Sequence, residues 1–69
     1  MTKSLQTFNT IVTLLESAGV PVEKHGSVLT IRGWDVTMDD DCNWYVGNYF
    51  VDGNQPDETV ALSIWKLVK

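Results

Sequence analysis

The chain has 69 residues, and five Lys or Arg against nine Asp or Glu give a formal net charge of −4. A chain this short forms one domain, here 1–69. Folding then buries only about 60% of the unfolded surface, which leaves little room for an enclosed active site. The 43% hydrophobic and 20% charged composition is that of a globular chain, and the acidic balance argues against nucleic acid as a partner, since a general binder clusters Lys and Arg against phosphates.

Residues 4–18 have the spacing of an amphipathic helix. Leu5, Phe8, Ile11, Val12, Leu15 and Ala18 recur at three- and four-residue intervals. Thr2 or Ser4 is placed to cap its start, Gly19 to take the left-handed position at its end, and Pro21 to stop it. A short strand at about 20–24 follows, then a turn at Lys24-His25-Gly26-Ser27. The strand predicted from 28 to 38 changes phase: Leu29 and Ile31 are apolar on odd numbers, Trp34, Val36 and Met38 on even ones. A glycine bulge at Arg32-Gly33 would absorb that slip. Asp39-Asp40-Asp41-Cys42-Asn43 reads as a turn, and 44–52 as the third long strand.

Residues from Pro56 onward admit two readings. As a strand, Val60, Leu62 and Ile64 share one side. As a helix, Val60, Ala61, Ile64, Trp65, Leu67 and Val68 gather on one stripe. The end signals favour the helix, with Pro56, Asp57 and Glu58 at its start and Lys66 and Lys69 at its end. The fold class is then α+β, a single small domain of order α-β-β-β-α with the helices on one face of an antiparallel sheet; the alternative is α-β-β-β-β with a C-terminal strand.

That order and length resemble the double-stranded-RNA-binding domain. The resemblance is one of architecture alone. The second helix opens on Pro56-Asp57-Glu58, where such domains carry a basic, alanine-rich start that grips phosphates.

The inventory for catalysis is thin, and no catalytic residue, cofactor site or metal site is assigned. His25 is the one histidine and reads as a surface residue of a turn, with nothing to orient it towards Ser27. Cys42 stands among aspartates, which oppose the thiolate a nucleophile needs. One Cys and one His do not make a zinc site. Asp39, Asp41 and Asn43 match the opening of an EF-hand loop, but Trp44 replaces its glycine and Phe50 its final glutamate. A lone cysteine and no apolar leader or spanning segment are the pattern of a cytoplasmic protein.

Charge is segregated along the chain. Between Arg32 and Lys66 there is no basic residue, while Asp35, Asp39, Asp40, Asp41, Asp52, Asp57 and Glu58 lie in that window. Trp34, Trp44, Tyr45, Tyr49 and Phe50 lie there too. Alternation along 44–52 assigns Trp44, Val46 and Phe50 to the core and sets Tyr45 and Tyr49 on an open sheet face, with Gly47 as a notch between them. Rigid aromatic rings flanked by carboxylates suit a protein-binding surface that attracts a basic partner. The expected site residues are therefore Asp35, Asp39, Asp40, Asp41, Tyr45, Tyr49 and Asp52.

The function expected from this pattern is that of a non-enzymatic binding module: a small acidic inhibitor or adaptor occupying a basic site, such as a nucleic-acid-binding one, on a larger protein. Small acidic α/β proteins of this kind are common among phage and mobile-element accessory and anti-defence proteins, an analogy of class. The alternatives are a self-associating scaffold, for instance a homodimer through an open face or sheet edge, and single-stranded nucleic-acid binding through Tyr45 and Tyr49 with Lys24 and Arg32 nearby.

Overall fold

Three two-residue turns and one three-residue turn decide how this chain folds. The computed structural model describes residues 3–69, in the order α1 (Lys3–Ser17), β1 (Glu23–His25), β2 (Val28–Ile31), β3 (Trp34–Met38), β4 (Trp44–Val46), β5 (Tyr49–Val51) and α2 (Asp57–Val68). Two helices thus bracket a five-stranded antiparallel meander, β1-β2-β3-β4-β5. Of the two readings of the last segment, the helix is the one formed.

The segments 28–38 and 44–52, each expected as one long strand, are hairpins. Arg32 and Gly33 both take positive φ (52° and 86°) and form the two-residue turn between β2 and β3. That is the type I′ pattern, whose twist matches the strands it joins. Gly47, at φ 58°, opens the Gly47-Asn48 turn between β4 and β5, and Gly26, at φ 65°, opens the Gly26-Ser27 turn between β1 and β2. A two-residue hairpin pairs odd positions with even ones, so Leu29 opposes Val36 and Ile31 opposes Trp34. The phase change at Arg32-Gly33 is therefore a chain reversal, and no bulge is needed.

The same parity rule corrects the third strand. Trp44 pairs with Val51 and Val46 with Tyr49, leaving Tyr45 opposite Phe50 on the other face. Phe50, expected in the core, is 58% exposed, and Val51 is buried in its place. Gly47 is a turn residue and makes no notch beside Tyr45. A Cβ there would lie 2.9 Å from the Trp34 ring.

Both helices cover the inner face of the sheet and form one core with it. Phe8, Ile11, Val12 and Leu15 of α1 and Val60, Ala61, Ile64 and Val68 of α2 pack with Leu29, Ile31, Val36, Trp44, Val46 and Val51. At the centre, Trp44 is fully buried and stacks on Phe8, with ring centroids 5.7 Å apart and planes 8° apart. Leu5, expected on the buried stripe, is 47% exposed, one turn before the helix meets the sheet.

The helix ends follow their sequence signals. Val20 N–H donates to the Leu15 carbonyl and Gly19 N–H to that of Glu16, with Gly19 at φ 84°. These two bonds are the Schellman closure of α1. The cap expected at Thr2 lies outside the described residues, and Ser4 lies within α1. Pro56 precedes α2, and its carbonyl accepts from the N–H groups of Thr59 and Val60. Asp57 and Glu58 then sit at the positive end of the helix dipole and Lys66 at the negative end. Among the described residues no helix is long and apolar enough to cross a membrane.

Candidate functional site

With both helices on the inner face, the outer face of the sheet is uncovered. Register aligns one row of side chains across all five strands: His25, Val28, Thr37, Tyr45 and Phe50. A second row runs through Glu23, Thr30 and Asp35. The Tyr45 and Phe50 rings meet edge to face, with centroids 5.5 Å apart and planes at 63°. Such a pair is a favourable cross-strand contact that also fixes both rings.

The acidic loop between β3 and β4 adjoins this pair. Asp39 N–H donates to the Asn43 carbonyl and Cys42 N–H to the Asp39 carbonyl, so Asp40, Asp41 and Cys42 form a three-residue hairpin loop. Its last residue must be left-handed, and Cys42 takes φ 66° there. The Asp39 side chain ties the loop together: Oδ1 accepts from the N–H groups of Asp41 (2.9 Å) and Asn43 (3.0 Å), and Oδ2 from the Tyr45 hydroxyl (3.0 Å). Sequence reasoning placed Asp39 and Tyr45 on one surface, and the structure joins them by a hydrogen bond.

These bonds set the charge states. The backbone N–H of Asn43 does most to hold the Asp39 carboxyl below its usual range; burial opposes it, and the Tyr45 hydroxyl and the N–H of Asp41 add to the lowering. The Tyr45 phenol is held above its usual value, first because it donates to Asp39 and then through burial and the charges of Asp39 and Asp41. A carboxyl with a depressed folded-state pKa adds stability above its unfolded value, about 3.9, and loses it as the pH falls through the folded value. The stability difference between wild type and Asp39→Asn should therefore be present at neutral pH and shrink below about pH 4. Urea midpoints of the two proteins measured against pH check this. A difference independent of pH would contradict the role given to the Asp39 charge.

Asp40 and Asp41 line a cleft of about 1010 Å³, whose other walls include Asp52, Asp57 and Thr7. The cleft exists because the segment after β5 docks on the acidic loop. Asn43 Oδ1 accepts from Gly53 N–H at 2.9 Å, while Asp52 accepts from Asn54 N–H and Gln55 donates to the Asp52 carbonyl. Gly53 lies so close that a Cβ there would fall 1.7 Å from the Cys42 carbonyl oxygen. Among the described residues no three His, Cys, Asp or Glu side chains are grouped to hold a metal ion.

The expected site residues divide into three places. Asp39, Tyr45 and Asp35 belong to the outer face and its loop, and Asp40, Asp41 and Asp52 line the adjoining cleft. Tyr49 does not join them. It pairs with Val46, turns to the other side of the sheet and meets Trp34 at a centroid distance of 6.1 Å. Tyr45 and Tyr49 thus form no common stacking platform. Lys24 also faces inward, its Nζ 5.6 Å from the Phe8 ring centroid. His25 is exposed, with Nε2 3.4 Å from Glu23 Oε1.

Sequence reasoning missed Phe50 as a surface residue and Asn43 and Gly53 as the clamp between the two loops. For Phe50 the signal was Gly47-Asn48, a hairpin dipeptide between apolar runs. For the clamp no local pattern existed, because Asn43 and Gly53 are ten residues apart and meet only in the folded chain. No family model, curated protein or solved structure matches this chain.

Proposed function

We propose that this protein is a non-enzymatic protein-binding module, a small acidic inhibitor or adaptor that places its outer sheet face and acidic loops on a basic surface of a larger protein. One observation carries the reading: the Tyr45 hydroxyl bonds Asp39 at 3.0 Å, making the exposed Tyr45–Phe50 pair continuous with the acidic loop. Aromatic rings of low conformational freedom supply contact area, and the carboxylates steer a basic partner to it. A partner surface that otherwise holds nucleic acid has the required charge, the carboxylates then standing where phosphates would. The cytoplasmic setting expected from the lone cysteine, and the phage-like one drawn by analogy of class, belong to the same proposal.

The test compares wild type with the Asp40→Asn/Asp41→Asn/Asp52→Asn variant as bait in host lysate, followed by titration of the purified captured protein. These three positions are chosen because Asp39 holds its loop together, whereas Asp40 and Asp41 accept none of the loop bonds and Asn preserves an acceptor at position 52. The expected result is a basic partner that the variant binds at least about tenfold more weakly, with wild-type binding weakened between about 0.1 M and 1 M salt. Capture indifferent to both salt and substitution would remove the acidic loops from the interface.

A further inference from the structure

The row of side chains across the outer face ends in two exposed rings with a carboxylate beside them. Phe50 is 58% exposed and Tyr45 36%. Next to them lies the Asp39 carboxylate, positioned by the Tyr45 hydroxyl, and further along the same face of β3 stands Asp35. The five strands contain one lysine and no arginine, and that lysine, Lys24, is turned to the inner face over Phe8. The nearest lysines belong to other surfaces: Lys66 of α2 shares a shallow pocket with Phe50 and Asp52, and Lys24 one with Asp39 and Asp40, while no Lys or Arg of the strands projects from the outer face.

This arrangement is complementary to a cation that is also flat. A guanidinium can lie on an aromatic ring while one of its in-plane N–H groups bonds a carboxylate oxygen. A lysine ammonium is compact and strongly hydrated and gains less from the ring. A second copy of the chain brings the same anionic face and is repelled by it.

We propose that the Tyr45–Phe50 pair receives an arginine side chain of the partner protein, one guanidinium N–H donating to Asp39 Oδ2, the carboxylate oxygen that among the described residues accepts only the Tyr45 hydroxyl, so that the face selects arginine over lysine. This rests on the protein-binding reading above and names the chemistry that the partner must present.

The experiment is calorimetric titration of the whole chain with a short peptide alternating arginine and serine, and with its lysine counterpart of equal charge, at about 0.05 M salt. The arginine peptide is expected to bind about three- to tenfold more tightly. Phe50→Leu keeps an apolar side chain but removes the ring. It should weaken the arginine peptide more than the lysine peptide, so that the two bind about equally, with a thermal melt confirming the fold. Equal, salt-sensitive binding of both peptides by wild type overturns the arginine site and leaves the acidic binding module standing. A preference that survives Phe50→Leu overturns it too, as does the binding of neither peptide. A dimer that forms with concentration and dissociates in Phe50→Leu assigns the face to a second copy and also overturns it.

Discussion

Gly53→Ala is expected to destabilise the protein by about 3 kcal/mol, a large part of the roughly 3–10 kcal/mol available to a chain of this size. The reason is contact. Gly53 lies outside the positive-φ set, so alanine's backbone preferences are no obstacle, but its Cβ would sit 1.7 Å from the Cys42 carbonyl oxygen and 2.4 Å from its carbon. Both are backbone atoms, so the two loops must separate. The Gly53 N–H to Asn43 bond is lost with them. Gly33 provides the comparison. It has positive φ and open space around it, so Gly33→Ala carries only the left-handed penalty, about 1 kcal/mol. Melting temperatures should therefore fall by more than about 10 °C for Gly53→Ala and by roughly half that or less for Gly33→Ala. Equal shifts would refute the close docking of the loops.

Trp44 carries the second large effect. It is fully buried, paired across the sheet with Met38 and Val51 and stacked on Phe8. Its Nε1 is buried with no hydrogen-bond partner. Trp44→Ala should cost about 3–5 kcal/mol, enough to leave much of the protein unfolded. Trp44→Phe removes some volume but also removes an unsatisfied donor, whose burial costs about 1–3 kcal/mol. The two effects offset each other, and the unfolding free energy of Trp44→Phe from urea titration should lie within about 1 kcal/mol of wild type. If Trp44→Phe proved as damaging as Trp44→Ala, the indole N–H would have to be making an interaction that the core geometry does not provide.

The helices were the most legible part of the fold because their signals are local. Leu15, Glu16, Gly19 and Val20 are neighbours in sequence, and the closing bonds of α1 join these same residues. The start of α2, with Pro56 before it and Asp57 and Glu58 in its first turn, was equally direct. The sheet was harder, since a two-residue reversal and a one-residue bulge produce the same parity change in the sequence. Arg32-Gly33 is consistent with either, and only the pairing of Ile31 with Trp34 distinguishes them. The same ambiguity at Gly47-Asn48 exchanged Phe50 and Tyr49 between faces.

The candidate site followed this division. Asp39 and Tyr45 could be placed together from alternation and charge alone, because the loop between β3 and β4 keeps even-numbered positions on one face across the turn. Tyr49 could not, because its face depends on the turn after Val46. Asp40, Asp41 and Asp52 were named from the charge run, but their shared cleft depends on the Asn43–Gly53 clamp.

The most direct test of the outer face as the binding surface is to map it by NMR at low salt. Amide and aromatic shifts would be followed as the arginine–serine peptide is added. Perturbations are expected to concentrate on Tyr45, Phe50, Thr37 and the Asp39–Asn43 loop, with the helix surface around Leu62 and the Tyr49–Trp34 contact unmoved. Perturbations centred on Leu62 and Trp65, or on Tyr49, with Tyr45 and Phe50 unchanged would contradict the outer face as the binding surface.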